Sequence, residues 1–203
     1  MKNNLTYLKG FGMKKLSTFN FQLSTLALAL AASSGAFAVV DLGNGAIFGI
    51  PNAVGGGGAT VVGHNNSGGG LNPTVIGNYN TNVGDTTVVG FGNSTPGAEG
   101  FVGGSFNTVN GFGSAVIGRN NTTNDNYNVA VGASNSVSGA GSTAVGNSIT
   151  INGSNGTSVG GHNIVNGVQS SSFGDWAWTG GDRATAIGSQ SWANADDSTA
   201  LGY

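Results

Sequence analysis

Few side chains in this chain are equipped for chemistry. Its two histidines, His64 and His162, stand 98 positions apart (162 − 64), and no acidic partner sits at a metal-ligand spacing beside either. Asp182 and the pair Asp196-Asp197 have the residue types of a glycosidase or a calcium site. Hydrolysis by two carboxylates needs a cleft that holds the sugar between them, and the GGxGxD spacing of calcium-binding rolls is missing. These acids read as turn residues. There is no cysteine, so thiol catalysis, thiolate metal sites and disulfides are excluded. No serine stands in a GxSxG elbow, and the glycine run 55–58 is a weak phosphate-loop signal in a chain so rich in glycine. The remaining group is aromatic. Trp176, Trp178 and Trp192, near Phe173, form either a packing cluster or a ligand platform for a glycan or protein. Tyr79, Tyr127, Phe91 and Phe106 are candidate contact points for a partner surface. No catalytic, cofactor or metal site is expected, and the chain reads as non-enzymatic.

The elements that would position these residues follow from a repeat. Large apolar residues precede glycines at 49, 63, 77, 90, 103, 118, 132, 146, 160, 174, 188 and 202, with separations of 14, 14, 13, 13, 15 and then 14 six times. A short, near-constant period marks a solenoid whose units are not stable alone. A second phrase lies between the anchors. Asparagine recurs three residues after them (Asn66, Asn80, Asn93, Asn121, Asn135, Asn163), and glycine seven after (Gly70, Gly84, Gly97, Gly139, Gly153, Gly167, Gly181). Each unit is therefore two short strands and two turns, with Gly and Asn supplying positive φ. A helix is disfavoured by the glycine content and by the lack of an i, i+3/i+4 stripe. The chain is predicted to be all-β, a parallel β-roll with one 14-residue turn per coil and coils stacked about 4.8 Å apart. In such a roll the two histidines lie about seven coils apart and share no site.

Residues 1–38 differ in kind from the rest. Lys2, Lys9, Lys14 and Lys15 precede an apolar stretch at 21–36, and Ala36-Phe37-Ala38 fits a small-x-small cleavage site, so a signal peptide is expected. Met13 offers an alternative start. Residues 39–57 read as an irregular N-terminal cap and 58–203 as the repeats. Without the leader, two basic residues (Arg119, Arg183) face eight acids, a formal charge of −6 (2 − 8). Nucleic acid, which demands a basic footprint, is excluded as a partner.

Alternation along a strand assigns two faces. The larger residue just before each anchor is expected to fill the roll core: Val62, Ile76, Val89, Ile117, Val131, Val145, Val159, Ile187 and Leu201. The residue before that is expected to point outward: Val61, Val75, Val88, Val116, Ala130, Ala144, Ala186 and Ala200. An apolar outer stripe of that length calls for burial against identical copies, so this set is the candidate inter-chain face.

The phrases SAVIGRNNT, VAVGASNSVSGAGSTAVGNS and RATAIGSQSWANADDSTALG resemble the head repeats of trimeric autotransporter adhesins, the YadA-like group, over roughly residues 44–203. The resemblance implies a left-handed parallel β-roll, a homotrimer, and binding to host matrix proteins, host cells or like heads. It implies export through the inner membrane and display at the outer surface of a bacterium. The copies around Gly103 and Gly174 depart from the pattern. A neck, coiled-coil stalk and β-barrel anchor are implied after the head. This sequence carries none of them and ends as a fragment or truncated product would. Other functions fit less well. A structural spacer shares the same repeats. An ice-binding solenoid would show paired outward threonines, whereas here one threonine per coil falls on the face assigned inward. A polysaccharide-active β-helix would have longer coils and an acidic cleft.

Overall fold

Glycine at the anchor column decides how closely successive coils can approach. In the computed structural model, which describes residues 38–39, 46–48, 53–55, 58–97 and 99–202, the anchors from Gly63 to Gly202, with Gly104 in place of Gly103, have φ between 100° and 145°. A Cβ on Gly132 would lie inside the carbonyl group of Gly146 on the next coil. Only glycine fits both the dihedral and the space.

The described residues form strands and turns without helix, in two sheets. One sheet collects the longer strands, such as Ser114–Arg119, Val129–Ala133 and Thr143–Asn147. The other collects the shorter ones, such as Thr122–Thr123, Ser136–Val137 and Thr150–Ile151. Each strand pairs in parallel with its counterpart one coil on, so Val116 sits over Ala130 and Ala130 over Ala144. The exception is Ala38–Val39, which is antiparallel to Ala46–Phe48. The parallel β-roll with a turn of about 14 residues is thus the fold of the chain. The expected signal peptide (1–38), apart from Ala38, and much of the expected cap (39–57) lie outside the described residues.

Two expectations are corrected. The first concerns which face is inside. Val61, Val75, Val88, Val116, Ala130, Ala144 and Ala186 are fully buried, and Ala200 packs against the core. These residues, expected on the inter-chain face, line the roll interior. The set expected in the core lies outside: Val62, Ile76, Val89, Ile117, Val145, Val159, Ile187 and Leu201 are exposed and Val131 is half-buried. Val116 is 0 % exposed and its neighbour Ile117 49 %. The reason is width. The interior takes one side chain from each sheet, and none from the long strands is larger than valine. Ala144 stands seven residues before buried Ile151, while Val116 stands seven before buried Thr123. One such pair meets directly, Ser172 Oγ lying 3.5 Å from Thr179 Oγ1. A larger residue on both sides would overpack this space.

The second correction is one of register. Gly104, at φ 113°, stacks on Gly90 and Gly118. Gly103 occupies the outward apolar column beside Ile117. The separations of 13 and 15 around Gly103 therefore become 14 and 14, and one 13-residue coil remains, between Gly77 and Gly90. The ring of Phe101 packs over the bare Gly103 and fills the place of the missing side chain.

A buried asparagine ladder closes one corner. Asn121 Nδ2 donates to Gly132 O at 2.9 Å and to Asn107 Oδ1 at 3.1 Å, and Asn121 Oδ1 accepts from Asn135 N–H at 3.0 Å. The same bonds repeat through Asn66, Asn80, Asn93, Asn107 and Asn135. Read from sequence as turn residues that supply positive φ, these asparagines are wholly inside and none of them has a positive φ. The opposite corner has a shorter counterpart, where Asn128 N–H donates to Ser114 Oγ and Ser142 N–H to Asn128 Oδ1.

Two outcomes are expected. Asn121→Ala removes the partner of the half-buried Gly132 carbonyl and of the buried Asn135 N–H, and should lower stability by about 3 kcal/mol at roughly 1–3 kcal/mol for each orphaned group. The exposed Asn110→Ala, which removes a surface amide bond to Asn124, should change it by less than about 0.5 kcal/mol. Urea unfolding followed by circular dichroism compares the two. Gly132→Ala should abolish soluble folded protein altogether.

Candidate functional site

Two aromatic groups occupy the corner that follows the long strands. In the N-terminal coils His64, Tyr79, Phe91 and Phe106 stand on successive coils, with ring centroids 6.1, 5.4 and 5.3 Å apart in edge-to-face contact. Such contacts stabilise beyond simple area burial. Tyr79 and Phe106 hold φ of 58° and 55°, a region that costs a bulky residue roughly 1–2 kcal/mol. The sequence pointed to Gly and Asn for these turns. The structure also puts Tyr, Phe, Trp, His and Gln there, and an aromatic row offsets part of that strain.

The second group lies on the last coils. The imidazole of His162 stacks flat on the Trp176 indole, centroids 4.6 Å apart and planes 6° apart. His162 Nδ1 lies 3.1 Å from Asp175 Oδ1. Trp176 is itself left-handed at φ 61°, with its N–H donating to Gly161 O. On the short-strand sheet Trp178 and Trp192 pair in register, rings 5.5 Å apart at 85°. Trp176 and Trp192 are 55 % and 63 % exposed, while Trp178 is half-buried. A cleft of about 290 Å³ opens between Trp176, Gln190 and Trp192. The three tryptophans picked out from sequence are thus neighbours, but two of them line the cleft, and Gln190 joins them. Gln190 is 14 residues beyond Trp176 and carried no other sequence signal.

The acids serve the backbone. Asp182 Oδ1 accepts from Val168 N–H at 2.8 Å, and Asp196 Oδ1 accepts from Asp182 N–H at 2.9 Å. Asp182 and Asp196 therefore form a stacked ladder that caps the corner before the long strands. Arg183 donates from Nε and Nη2 to both carboxylate oxygens of Asp197, at 2.6 and 2.8 Å. That hydrogen bonding holds the Asp197 carboxyl below its ordinary value, against a smaller opposing effect of desolvation, and Arg183 is pushed up. Among the described residues no group of three His, Asp or Glu is placed to hold a metal ion, and His64 and His162 sit on separate aromatic groups.

The second feature of functional weight is the outward column of the long-strand sheet. From Val62 to Leu201 it presents Val, Ile, Phe or Leu on nearly every coil, flanked by Thr60, Thr74, Thr143 and Thr157 on the same face. It runs about 50 Å at ~4.8 Å per coil. That exceeds the apolar patch a soluble monomer normally leaves in water.

Residues 129–148, 166–190 and 180–203 match the model of the YadA head domain repeat. These coils, well under half of the chain, are similar to YadA head domain repeats. No curated protein matches the chain, and no solved structure matches it.

The Asp197 carboxyl is depressed in the folded state, so its ion pair contributes fully above the ordinary value of 3.8 and is lost as pH falls through the lower, folded-state value. The melting temperature of the wild type should exceed that of Asp197→Asn near neutrality. The two should converge as pH falls below 3.8. Both partners are exposed, so the gap should be small.

Proposed function

We propose that this chain is the head of a bacterial surface adhesin. Three copies associate through the outward column of the long-strand sheet, and the remaining surface contacts host matrix, host cells or like heads on other cells. The column carries the reading. It is continuous, apolar and of constant register over the whole roll, and burial against a symmetric copy removes it from water. Three-fold association is what YadA-like heads typically use, and a straight face of small and medium apolar residues is suited to it. The outward stripe that calls for partners lies one residue further along each strand than the sequence pattern suggested. Export by an N-terminal leader and display outside the outer membrane belong to the same proposal.

Of the other readings, the spacer keeps a specific footing, because a roll of identical coils also transmits length. The ice-binding reading has less. The threonines do face outward, but as one per coil beside an apolar column, not as paired ranks.

Replacing Ile117 and Val145 together by Asp puts charge into the centre of the column. Analytical ultracentrifugation should show a trimer for the wild type and a monomer for the double variant, with circular dichroism unchanged. Ile164→Asp, on the exposed face of the other sheet, should leave the trimer intact. A monodisperse wild-type monomer would overturn the assignment. Beads coated with the trimer should then bind matrix proteins, cells or one another. A trimer that binds none of them is a spacer.

A further inference from the structure

We infer that the cleft between Trp176, Gln190 and Trp192 is a binding site for a neutral saccharide. The inference rests on the adhesin reading and gives it a ligand class. Along the N-terminal part of this corner each aromatic ring closes against another ring on the next coil. The row lapses at Asn120, Ser134 and Ser148 and resumes at His162 and Trp176; after Trp176 the corner residue is Gln190, and the cleft opens between it, Trp176 and Trp192. His162 covers the side of Trp176 towards the preceding coil, leaving the side towards Gln190 as the cleft wall. Trp192 forms the second wall and is steadied by the edge-on contact with Trp178.

Two exposed indoles with a primary amide between them match the chemistry of a pyranose. The C–H face of the ring lies on an indole, and the amide offers a donor pair and an acceptor to vicinal hydroxyls. The charge pattern excludes other classes. Among the described residues the cleft lining holds no cation. Arg183 belongs to the opposite corner and is engaged by Asp197, so sialylated and sulfated sugars find no counter-charge. Asp175 is occupied by His162. An ammonium group would require a closed cage of rings, and here both indoles are more than half exposed.

The chain's three tryptophans all lie in this region, so intrinsic fluorescence reads the cleft directly. The whole chain is titrated with neutral oligosaccharides ending in glucose, galactose or an N-acetylhexosamine, and with sialylated and sulfated counterparts. A saturable emission change is expected with at least one neutral sugar, and no tighter binding of the acidic forms. Trp192→Ala and Gln190→Gly should each weaken it about tenfold or more, the scale of one lost stacking or hydrogen-bonding contact. Trp176→Asn, which keeps a residue tolerant of the left-handed corner, should do the same. Tyr79→Asn at the far end of the corner should not, and circular dichroism and oligomeric mass should be unchanged throughout. No response to any neutral sugar, a preference for the acidic forms, or binding indifferent to these substitutions would each overturn the assignment. If heads without sugar binding still adhere to cells or matrix, the cleft assignment falls and the adhesin reading stands. If adhesion fails too, both fall.

Discussion

The carbonyl oxygen of each anchor glycine is the point on which the architecture turns. It lies where a Cβ from the preceding coil would otherwise be, so the column must be glycine. Half-buried between coils, it also takes a hydrogen bond along much of the roll. The asparagine three residues after an anchor supplies that bond, reaching forward to the next anchor's carbonyl while its own oxygen takes the backbone N–H of the next coil. Close approach and polar satisfaction are solved together by two residue types. Everything else in the coil, including the apolar columns and the turn residues, is held in register by that pair.

The ladder also shows where the solution changes. At position 149 an isoleucine takes the asparagine's place, still donating its N–H to Asn135 but returning nothing to the next coil. Asn163 begins again: its Oδ1 accepts from Ala177 N–H, as in the ladder, while its Nδ2 donates to Val159 O and to Ser158 Oγ. The interior has already changed before it. Valines dominate the long-strand side of the core up to Val116, and Ala or Ser follow from Ala130 to Ala186. The aromatic cleft lies in this second stretch, beyond the interruption.

Much of the fold was legible because the period is a backbone property. Glycine every 14 residues states the coil length whichever side chains surround it. The inside and outside faces were harder. Both −1 and −2 columns are apolar, and preference for the larger residue in the core reversed them. In a roll this narrow the informative signal is a ceiling on size. With Gly104 as the anchor, no residue from Val61 to Ala200 in the −2 column exceeds valine. Asparagine misled for a related reason, since its usual place in turns hides its capacity to satisfy buried backbone on both sides. The cleft was half legible. Tryptophans drew attention by their rarity, but Gln190 matters only through its place above Trp176, which alignment by coil brings out.

Because each coil lies residue for residue on the one before it, the molecule has no unique middle. Copying a block such as 129–142 in tandem would add a further storey of ~4.8 Å and disturb neither neighbour, since every contact it needs is made by its own duplicate. Reach can therefore be lengthened or shortened by whole storeys, while the sites displayed at either end are carried along unchanged.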